Sequence, residues 1–332
     1  MAPDDTPTPA PPRLALVGAA SLLGKEIKDQ LAASGFPGTA LALLDFEEVA
    51  GVLTEYGDEA RVFADTVAER VLRHELACFC GNREQAAGHL EGLLAADGLG
   101  LDCTGAWLAD PRAFAWIPGV TATPRLRKQR AIVIPPASAL LLGGTVAALG
   151  ELVERASINV FLPATERGDA GFEELSQQST AVLNLLAVDE TVFGRQQAFD
   201  MWLPSAEHPL SAASLGATLD RLGLPVPALE VVSAPVFHGM ALSMFVAGAG
   251  GDTVRDALEG GGIDVLEATA ARDEADSPVR IVGRGGLRAV AVREEARGAW
   301  VWLVTDNLHT RAAAAVAAIH TLLGVPVGDV LQ

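Results

Sequence analysis

Residues 13 to 45 contain the sequence feature that most restricts the fold. An apolar strand at 14–17 is followed by the turn Gly18-Ala-Ala-Ser21-Leu-Leu-Gly24, a helix, and a second apolar strand at 41–44 that ends in Asp45. Backbone N–H groups at the start of such a helix point outward and carry partial positive charge, so they can hold a pyrophosphate. The arrangement predicts the front end of a dinucleotide-binding domain.

The turn and the aspartate supply the candidate cofactor contacts. The candidate phosphate-binding residues are Gly18, Ala20, Ser21, Leu22, Leu23 and Gly24. The Cβ of Ser21 crowds the turn, but its hydroxyl could donate to a phosphate. Asp45 could accept hydrogen bonds from the ribose hydroxyls and would repel a 2′-phosphate, and Glu47 and Glu48 add negative charge. We expect NAD rather than NADP if a nicotinamide cofactor binds. The alternative is an empty Rossmann fold in which Asp45 is only a turn residue.

The first half of the chain continues in a strand–helix rhythm. Apolar strands are predicted at 76–80, 98–103 and 131–134, with a helix at 84–96 between the first two. Strands that are apolar on both faces and alternate with helices are typical of a parallel sheet. The predicted fold class is therefore α/β, with a Rossmann doubly wound parallel sheet.

The rhythm changes after Pro136. Helices are expected at 138–155, 172–186 and 310–323, and the strands expected in this half are 158–162, 229–236, 241–247, 279–281, 287–292 and 300–304. The later strands alternate more and lack a helix after each one, which predicts a second α+β domain with a mixed sheet. We expect a disordered leader at 1–12, a first domain of 13–135 with 310–332, and a second domain of 136–309.

Composition narrows the class of protein. The 332 residues suit two domains, and 24 Lys+Arg against 42 Asp+Glu give a net charge of −18, which disfavours nucleic acid and membrane surfaces as partners. The three cysteines, Cys78, Cys80 and Cys103, have no metal-binding spacing, and we expect no metal. An odd count without a disulfide framework indicates a reducing compartment and a cytoplasmic protein. The uncharged run 131–150 is long enough to span a bilayer, but its prolines and glycines favour a buried strand and helix.

Several segments resemble those of the aspartate-semialdehyde dehydrogenase family, in order, from residue 14 to residue 323. GAASLLG resembles the family's GATGAVG, LDCTGAW resembles IDNSSAF, SAPVFHGM resembles RVPVFVGH, and TDNLHTRAAAAVAAI resembles ADNLRKGAALNAVQI. The resemblance implies a Rossmann NAD(P)-binding domain that the C-terminal helix rejoins, and a second domain that carries the catalytic groups and most of a homodimer interface. It also makes Asn307 a candidate cofactor contact on the nicotinamide side.

The chain departs from the family at its reacting positions. The family's nucleophilic cysteine, in NPNCST, corresponds to Ala137 in IPPASA, and its acid/base histidine corresponds to Met240. A methyl group and a thioether cannot replace a nucleophile or a proton shuttle. Other departures, at positions that bind substrate, phosphate or NADP in the family, are Ser233, Leu108, Pro163, Phe46 and Glu48. The chain therefore resembles the Usg-type relatives, which lack the catalytic cysteine and histidine, and we expect a homodimeric pseudoenzyme.

Three nearby residues are candidate substitutes for these groups. Ser138 could act as a nucleophile, but a helix-start residue that caps N–H groups is the favoured interpretation. His238 could be a relocated acid/base group on the same strand face as Met240, if that strand is regular, but a partly buried, hydrogen-bonded histidine is the favoured interpretation. Cys103 is favoured as a buried apolar residue. Two alternatives stay open: an active NAD-dependent oxidoreductase on a less charged aldehyde or alcohol, and a structural subunit of an active paralogue. The partner could then be a small molecule or a protein.

Overall fold

The computed structural model describes residues 13–46, 49–266 and 277–326. The predicted leader at 1–12 and the predicted roles of Glu47 and Glu48 lie outside the described residues. The described chain divides into two compact units: the first contains residues from 13–114, 123–134 and 315–326, and the second contains residues from 115–122 and 135–314.

The first unit is built on a seven-stranded sheet with the order β5-β2-β1-β6-β7-β9-β8. Six of these strands pair in parallel, from β5 through to β9. The strands, with the separate hairpin β3–β4, are β1 (Leu14–Val17), β2 (Leu41–Asp45), β3 (Leu53–Tyr56), β4 (Glu59–Val62), β5 (Ala64–Asp65), β6 (Leu76–Phe79), β7 (Leu99–Asp102), β8 (Phe114–Ala115) and β9 (Ala131–Val133). All four residues of β1 and of β6 are buried, as expected for a sheet covered on both faces.

The helices of this half are α1 (Leu22–Ala33), α2 (Ala68–Val71), α3 (Arg83–Ala95) and α4 (Thr123–Leu126). The predicted α/β class with a Rossmann-type parallel sheet is confirmed. The predicted strands at 14–17, 41–44 and 76–80 match β1, β2 and β6 to within a residue at each end. The hairpin β3–β4 was not predicted, since most of its residues are solvent-exposed and show no apolar pattern.

The second unit contains a mixed six-stranded sheet with the order β11-β10-β12-β15-β14-β13. The elements of this half are α5 (Ala137–Leu149), β10 (Ala156–Leu162), α6 (Gly168–Leu183), α7 (Ala212–Arg221), β11 (Ala228–Ser233), β12 (Met240–Ala247), α8 (Gly251–Gly260), β13 (Asp264–Val265), β14 (Arg288–Glu295), β15 (Gly298–Thr305) and α9 (Asn307–Leu323). The chain passes from the second unit to the first within α9, after Ala314. The strands β10, β12, β15 and β14 form antiparallel neighbours, and this confirms the predicted mixed sheet.

One predicted strand in this unit is wrong. Residues 279–281 form a turn, because the N–H groups of Arg280 and Ile281 both donate back to the carbonyl of Ser277. Ile281 is buried, but Val279 is exposed, so the apolar pair does not share an environment as it would in a covered strand.

The helix α5 is apolar all round and lies in the core of the second unit. With the 3₁₀ turn Gly150–Arg155 it forms the one helical stretch, in the part of the chain that the structure describes, that is long and apolar enough to cross a membrane. Ten of the thirteen residues of α5 are buried in the protein, among them Ala137, Leu141 and Val146. The burial agrees with the interpretation of the uncharged run as core structure.

Close contacts between glycines fix the first turn of the first unit. Gly18 has φ +81°, and a Cβ on it would lie 2.4 Å from the Cα of Gly81 at the end of β6. A Cβ on Gly24 would lie 2.5 Å from the carbonyl oxygen of Gly18. Both obstacles are backbone atoms, so α1 can pack this closely on β1 only if these residues lack a side chain.

We predict that Gly24→Ala destabilises the protein by about 1–3 kcal/mol, because the backbone of the turn must shift to admit the methyl group. The matched control is Gly92→Ala on the exposed side of α3, where an added Cβ meets nothing within 4 Å. That change should instead stabilise the helix by about 0.5–1 kcal/mol. Urea unfolding of the two variants measures both effects, and equal stabilities would contradict the close contact.

Candidate functional site

In the first unit, Ser21 caps α1 with its side chain. Its Oγ accepts a hydrogen bond from the N–H of Gly24 at 2.9 Å, and lies 2.8 Å from the carbonyl oxygens of both Gly18 and Cys80, to which it can donate. The Ser21 N–H donates to the Gly18 carbonyl. The polar groups of Ser21 therefore stabilise the turn itself, and the hydroxyl is not directed at a phosphate site.

Asp45 is 5% exposed and connects the end of β2 to the same turn. Its Oδ2 accepts from the N–H of Ala20 at 2.7 Å, and its Oδ1 accepts from the N–H of Phe46 at 2.8 Å. The predicted phosphate contact at Ala20 is thus already engaged. Each carboxylate oxygen can accept a further hydrogen bond, as binding to ribose hydroxyls would require. The remaining turn residues, Leu22 and Leu23, begin α1.

The cysteines of the first unit form a buried cluster. Cys78 and Cys103 are fully buried, with their Sγ atoms 3.9 Å apart. The hydrogen bond with Cys103 and burial raise the pKa of the Cys78 thiol well above its ordinary value. A fully buried Cys103 fits the sequence interpretation of an apolar core residue, since a nucleophile must reach its substrate. Among the described residues no group of His, Cys, Asp and Glu could hold a metal ion.

In the second unit, the two positions that should carry the family's chemistry are core residues. Ala137 begins α5 and Met240 begins β12, and both are 0% exposed. They belong to one apolar cluster with the residues of β10 and β15. The residue before α5 is Pro136, which makes no side-chain capping bond. The first N–H groups of α5 must therefore find an acceptor elsewhere.

Glu166, in the loop after β10, supplies that acceptor. Its carboxylate accepts a hydrogen bond from the Ser138 hydroxyl, at 3.1 Å to Oε2, and the backbone N–H groups of Ala137 and Ser138 lie close enough to lower its pKa. Burial raises the pKa of Glu166, although the positive charge of Arg311 and these contacts favour the ionised form. The expectation that Ser138 caps the helix N–H groups is wrong: its hydroxyl donates to Glu166, and the carboxylate does the capping.

His238 lies in the loop before β12, and its predicted placement is wrong. The strand begins only at Met240, and Gly239 intervenes with φ +80°, a conformation in which the chain turns. The imidazole packs against Phe172, with ring centroids 5.3 Å apart. Burial lowers the pKa of His238, and the nearby Asp306 opposes that shift. His238 is therefore a half-buried, mainly neutral ring that does not share a strand face with Met240.

Asn307, the predicted nicotinamide-side contact, joins two loops of the second unit. It is 2% exposed. Its Oδ1 accepts from the N–H of Gly239 at 3.0 Å, and its Nδ2 donates to the hydroxyl of Thr165 at 3.0 Å. The side chain thereby fixes the loops that carry His238 and Glu166, a structural role that sequence reasoning did not identify.

The position of the family's substrate-binding arginine is also satisfied internally. Ser233 is buried at the end of β11, and its hydroxyl donates to the Oε1 of Gln197 at 2.6 Å. The indole of Trp202 donates to the same oxygen at 2.8 Å. A serine, a glutamine and a tryptophan offer no positive charge to a substrate carboxylate. The substitution at Ser233 is visible in the sequence, but Gln197 and Trp202 are not, because they lie more than thirty residues away in the chain.

Comparison with known proteins gives structural likeness without a sequence match. No family model and no curated protein matches the chain. The aspartate semialdehyde dehydrogenase II of Vibrio cholerae superposes with a TM-score of 0.78 at 22% identity, covering 94% of this chain and 98% of that one. A probable aspartate-semialdehyde dehydrogenase from Pseudomonas aeruginosa gives 0.77 at 23% identity, over 95% and 99%. The Candida albicans enzyme, solved with NADP, gives 0.62 at 14%, over 94% and 98%. The chain therefore has the fold of these enzymes.

We predict that Glu166→Gln changes how stability depends on pH. The pKa of Glu166 is higher in the folded protein than in the unfolded chain, so its titration contributes stability that is complete below the unfolded pKa and is lost as pH rises through the folded pKa. Glutamine does not titrate. The melting temperature of the variant minus that of the wild type should therefore become more positive from pH 4 to pH 8.

Thermal melts across this pH range measure the difference, with the exposed Glu173→Gln on α6 as the matched control. If the melting temperature of Glu166→Gln minus that of the wild type falls as pH rises, the conclusion that burial raises the pKa of Glu166 is contradicted.

Proposed function

We propose that the chain is an aspartate-semialdehyde-dehydrogenase-like protein that does not carry out the phosphorylating oxidation of an aldehyde. The observation that carries the proposal is the N-terminus of α5: a buried methyl group stands where the resemblance places the nucleophile, and the carboxylate of Glu166 lies beside the first N–H groups of the helix. The fold that the chain shares with these dehydrogenases, together with the residue-by-residue resemblance, supports membership of the family.

The chemistry that the family requires has no substitute at these positions. Covalent catalysis needs a thiolate or similar nucleophile, and proton transfer needs a group that titrates near neutral pH. Ala137 and Met240 offer neither. A negatively charged Glu166 would also oppose the formation of an oxyanion or a thiolate next to it. Removal of a covalent nucleophile alone costs several orders of magnitude in rate.

We predict no reduction of NAD or NADP when the purified protein is incubated with aspartate semialdehyde and phosphate. The Vibrio cholerae enzyme, assayed in parallel by absorbance at the nicotinamide band, is the positive control. Turnover above the background with either cofactor would overturn the proposal. The variant Ala137→Cys should remain inactive, since Glu166 and Met240 are unchanged.

A dinucleotide is the cofactor class that we propose for the first unit, with NAD preferred over NADP. The close contacts at Gly18 and Gly24 support a dinucleotide site, because they bring the N-terminus of α1 close to the carboxyl end of β1, as in dinucleotide-binding turns. Asp45 supports the preference, because a buried carboxylate beside the turn would repel a 2′-phosphate. The Candida albicans relative differs, since it was solved with NADP.

We predict that NAD raises the melting temperature and that NADP raises it less. A ligand at ~100 times its Kd stabilises the native state by about 2.7 kcal/mol. In Asp45→Asn the side-chain oxygen can still accept from the Ala20 N–H, but the charge is lost, so the preference for NAD over NADP should shrink. Asp65→Asn, at the end of β5, is the matched control. A wild-type protein that NAD does not stabilise would contradict the cofactor proposal.

A homodimer is the assembly that we propose, formed by the second unit. Its segment 183–203 carries large apolar side chains that are exposed in the single chain: Leu183, Leu185, Leu186, Phe199, Met201 and Leu203. Leu185 is 95% exposed with φ +56°, and Phe199 is 64% exposed with φ +61°. Bulky residues rarely adopt this conformation, and large exposed apolar patches often mark interfaces. Burial of these side chains against a second copy would compensate for the unfavourable backbone conformation and for the exposed apolar surface.

We predict that the double variant Leu185→Asp, Phe199→Asp is a monomer, because two charges would have to be buried in the dimer. Light scattering after size exclusion measures the mass. The matched control is Val279→Asp, which replaces an exposed apolar residue outside the segment and should stay dimeric. A wild-type protein that is monomeric at micromolar concentration would contradict the proposal.

A second candidate function rests on His238. A mainly neutral imidazole held against Phe172 has the protonation state of a general base, which an oxidoreductase on a less charged aldehyde or alcohol would need. Any such activity, found with small uncharged substrates and NAD, should be lost in His238→Ala. We propose the cytoplasm as the location, supported by three buried cysteines that form no disulfide.

A further inference from the structure

Arg311, near the start of α9, has two buried hydrogen-bond donors without acceptors. Its Nε and Nη2 atoms are inaccessible to solvent and have no hydrogen-bond partner among the described residues. Buried donors are nearly always paired, and those of an ionised side chain most of all. The two atoms also share one edge of the planar guanidinium, with their N–H groups pointing the same way.

Glu166 balances the charge of Arg311 but does not occupy this edge. The positive charge of Arg311 favours the ionised form of Glu166, so the two groups are close enough to interact. The carboxylate accepts from the Ser138 hydroxyl at the start of α5, and the nearby N–H groups of Ala137 and Ser138 also favour its ionised form. The guanidinium is therefore compensated electrostatically while its Nε–Nη2 edge keeps two parallel donors.

We propose that Arg311 is a binding site for a small monocarboxylate, held side-on by Nε and Nη2. Two parallel N–H donors match the two oxygens of a carboxylate, which is the pairing that arginine makes most often with anions of this shape. The site differs from the family's substrate-carboxylate position, which is occupied here by the neutral Ser233. Arg311 belongs to the second unit, and the proposed dinucleotide turn belongs to the first.

Glu166 limits the charge of the ligand. Arg311 and an ionised Glu166 sum to zero, so a monocarboxylate brings the cluster to a single negative charge and a phosphate dianion would bring it to two. Excess charge is costly where water is excluded. The burial of Nε and Nη2 requires a ligand small enough to enter as the side chains move, such as formate or acetate.

The test compares sodium acetate with sodium chloride and sodium phosphate at equal ionic strength, by melting temperature and by line broadening of ¹³C-acetate in NMR. Acetate should raise the melting temperature of the wild type above that in chloride, and phosphate should not. Arg311→Lys keeps the charge but loses the paired donors, so its affinity for acetate should fall at least tenfold. Glu166→Gln removes the neighbouring negative charge and should bind acetate more tightly.

The matched control is Arg130→Gln, which removes an exposed arginine of the first unit that pairs with Asp97 and should leave acetate binding unchanged. The proposal is overturned if neither the wild type nor Glu166→Gln shows an effect specific to acetate, if Arg311→Lys binds as the wild type does, or if phosphate binds at least as well as acetate. None of these measurements involves NAD or dehydrogenase turnover, so their outcome is independent of the proposed function.

Discussion

The contact between the Glu166 carboxylate and the first N–H groups of α5 is the interaction on which the second unit depends. A helix that starts after Pro136 in an apolar core has N–H groups that water cannot reach and no side-chain cap of its own. The carboxylate of Glu166, from the loop after β10, lies beside these N–H groups, and the Ser138 hydroxyl donates to it at 3.1 Å. An anion at this end of a helix also interacts favourably with the helix dipole.

The same contact explains why several departures from the family's pattern are compatible with one stable structure. With the helix N-terminus satisfied by Glu166, Ala137 and Met240 can pack as core residues, and Ser233 bonds to Gln197 without a charged ligand. Asn307 holds the loops of Glu166 and His238 together. What remains unsatisfied, within the described residues, is the Nε–Nη2 edge of Arg311.

The sequence predicted the architecture well, because apolar periodicity and glycine spacing are local properties. The strands β1, β2, β6 and β12 and the change from a parallel to a mixed sheet could all be read from such patterns. Contacts between distant residues could not. Nothing near Glu166 in the chain indicates that it meets the start of a helix 28 residues away, and nothing near Asn307 indicates its hydrogen bonds to Thr165 and Gly239. The strand predicted at 279–281 is wrong, because a pair of apolar residues cannot specify a strand unless a neighbouring strand pairs with it.

The most direct test of this account is the acidity of a thiol placed at the start of α5. The pH dependence of the Cβ chemical shift of ¹³C-labelled cysteine in Ala137→Cys, followed by NMR, gives the thiol pKa with Glu166 present and in the Glu166→Gln background. If the carboxylate occupies the helix N-terminus, the thiol pKa should be high with Glu166 and should fall when glutamine replaces it, because the helix dipole then favours the thiolate. A thiol pKa that is low in both backgrounds would show that Glu166 does not fill this site, and would contradict the account.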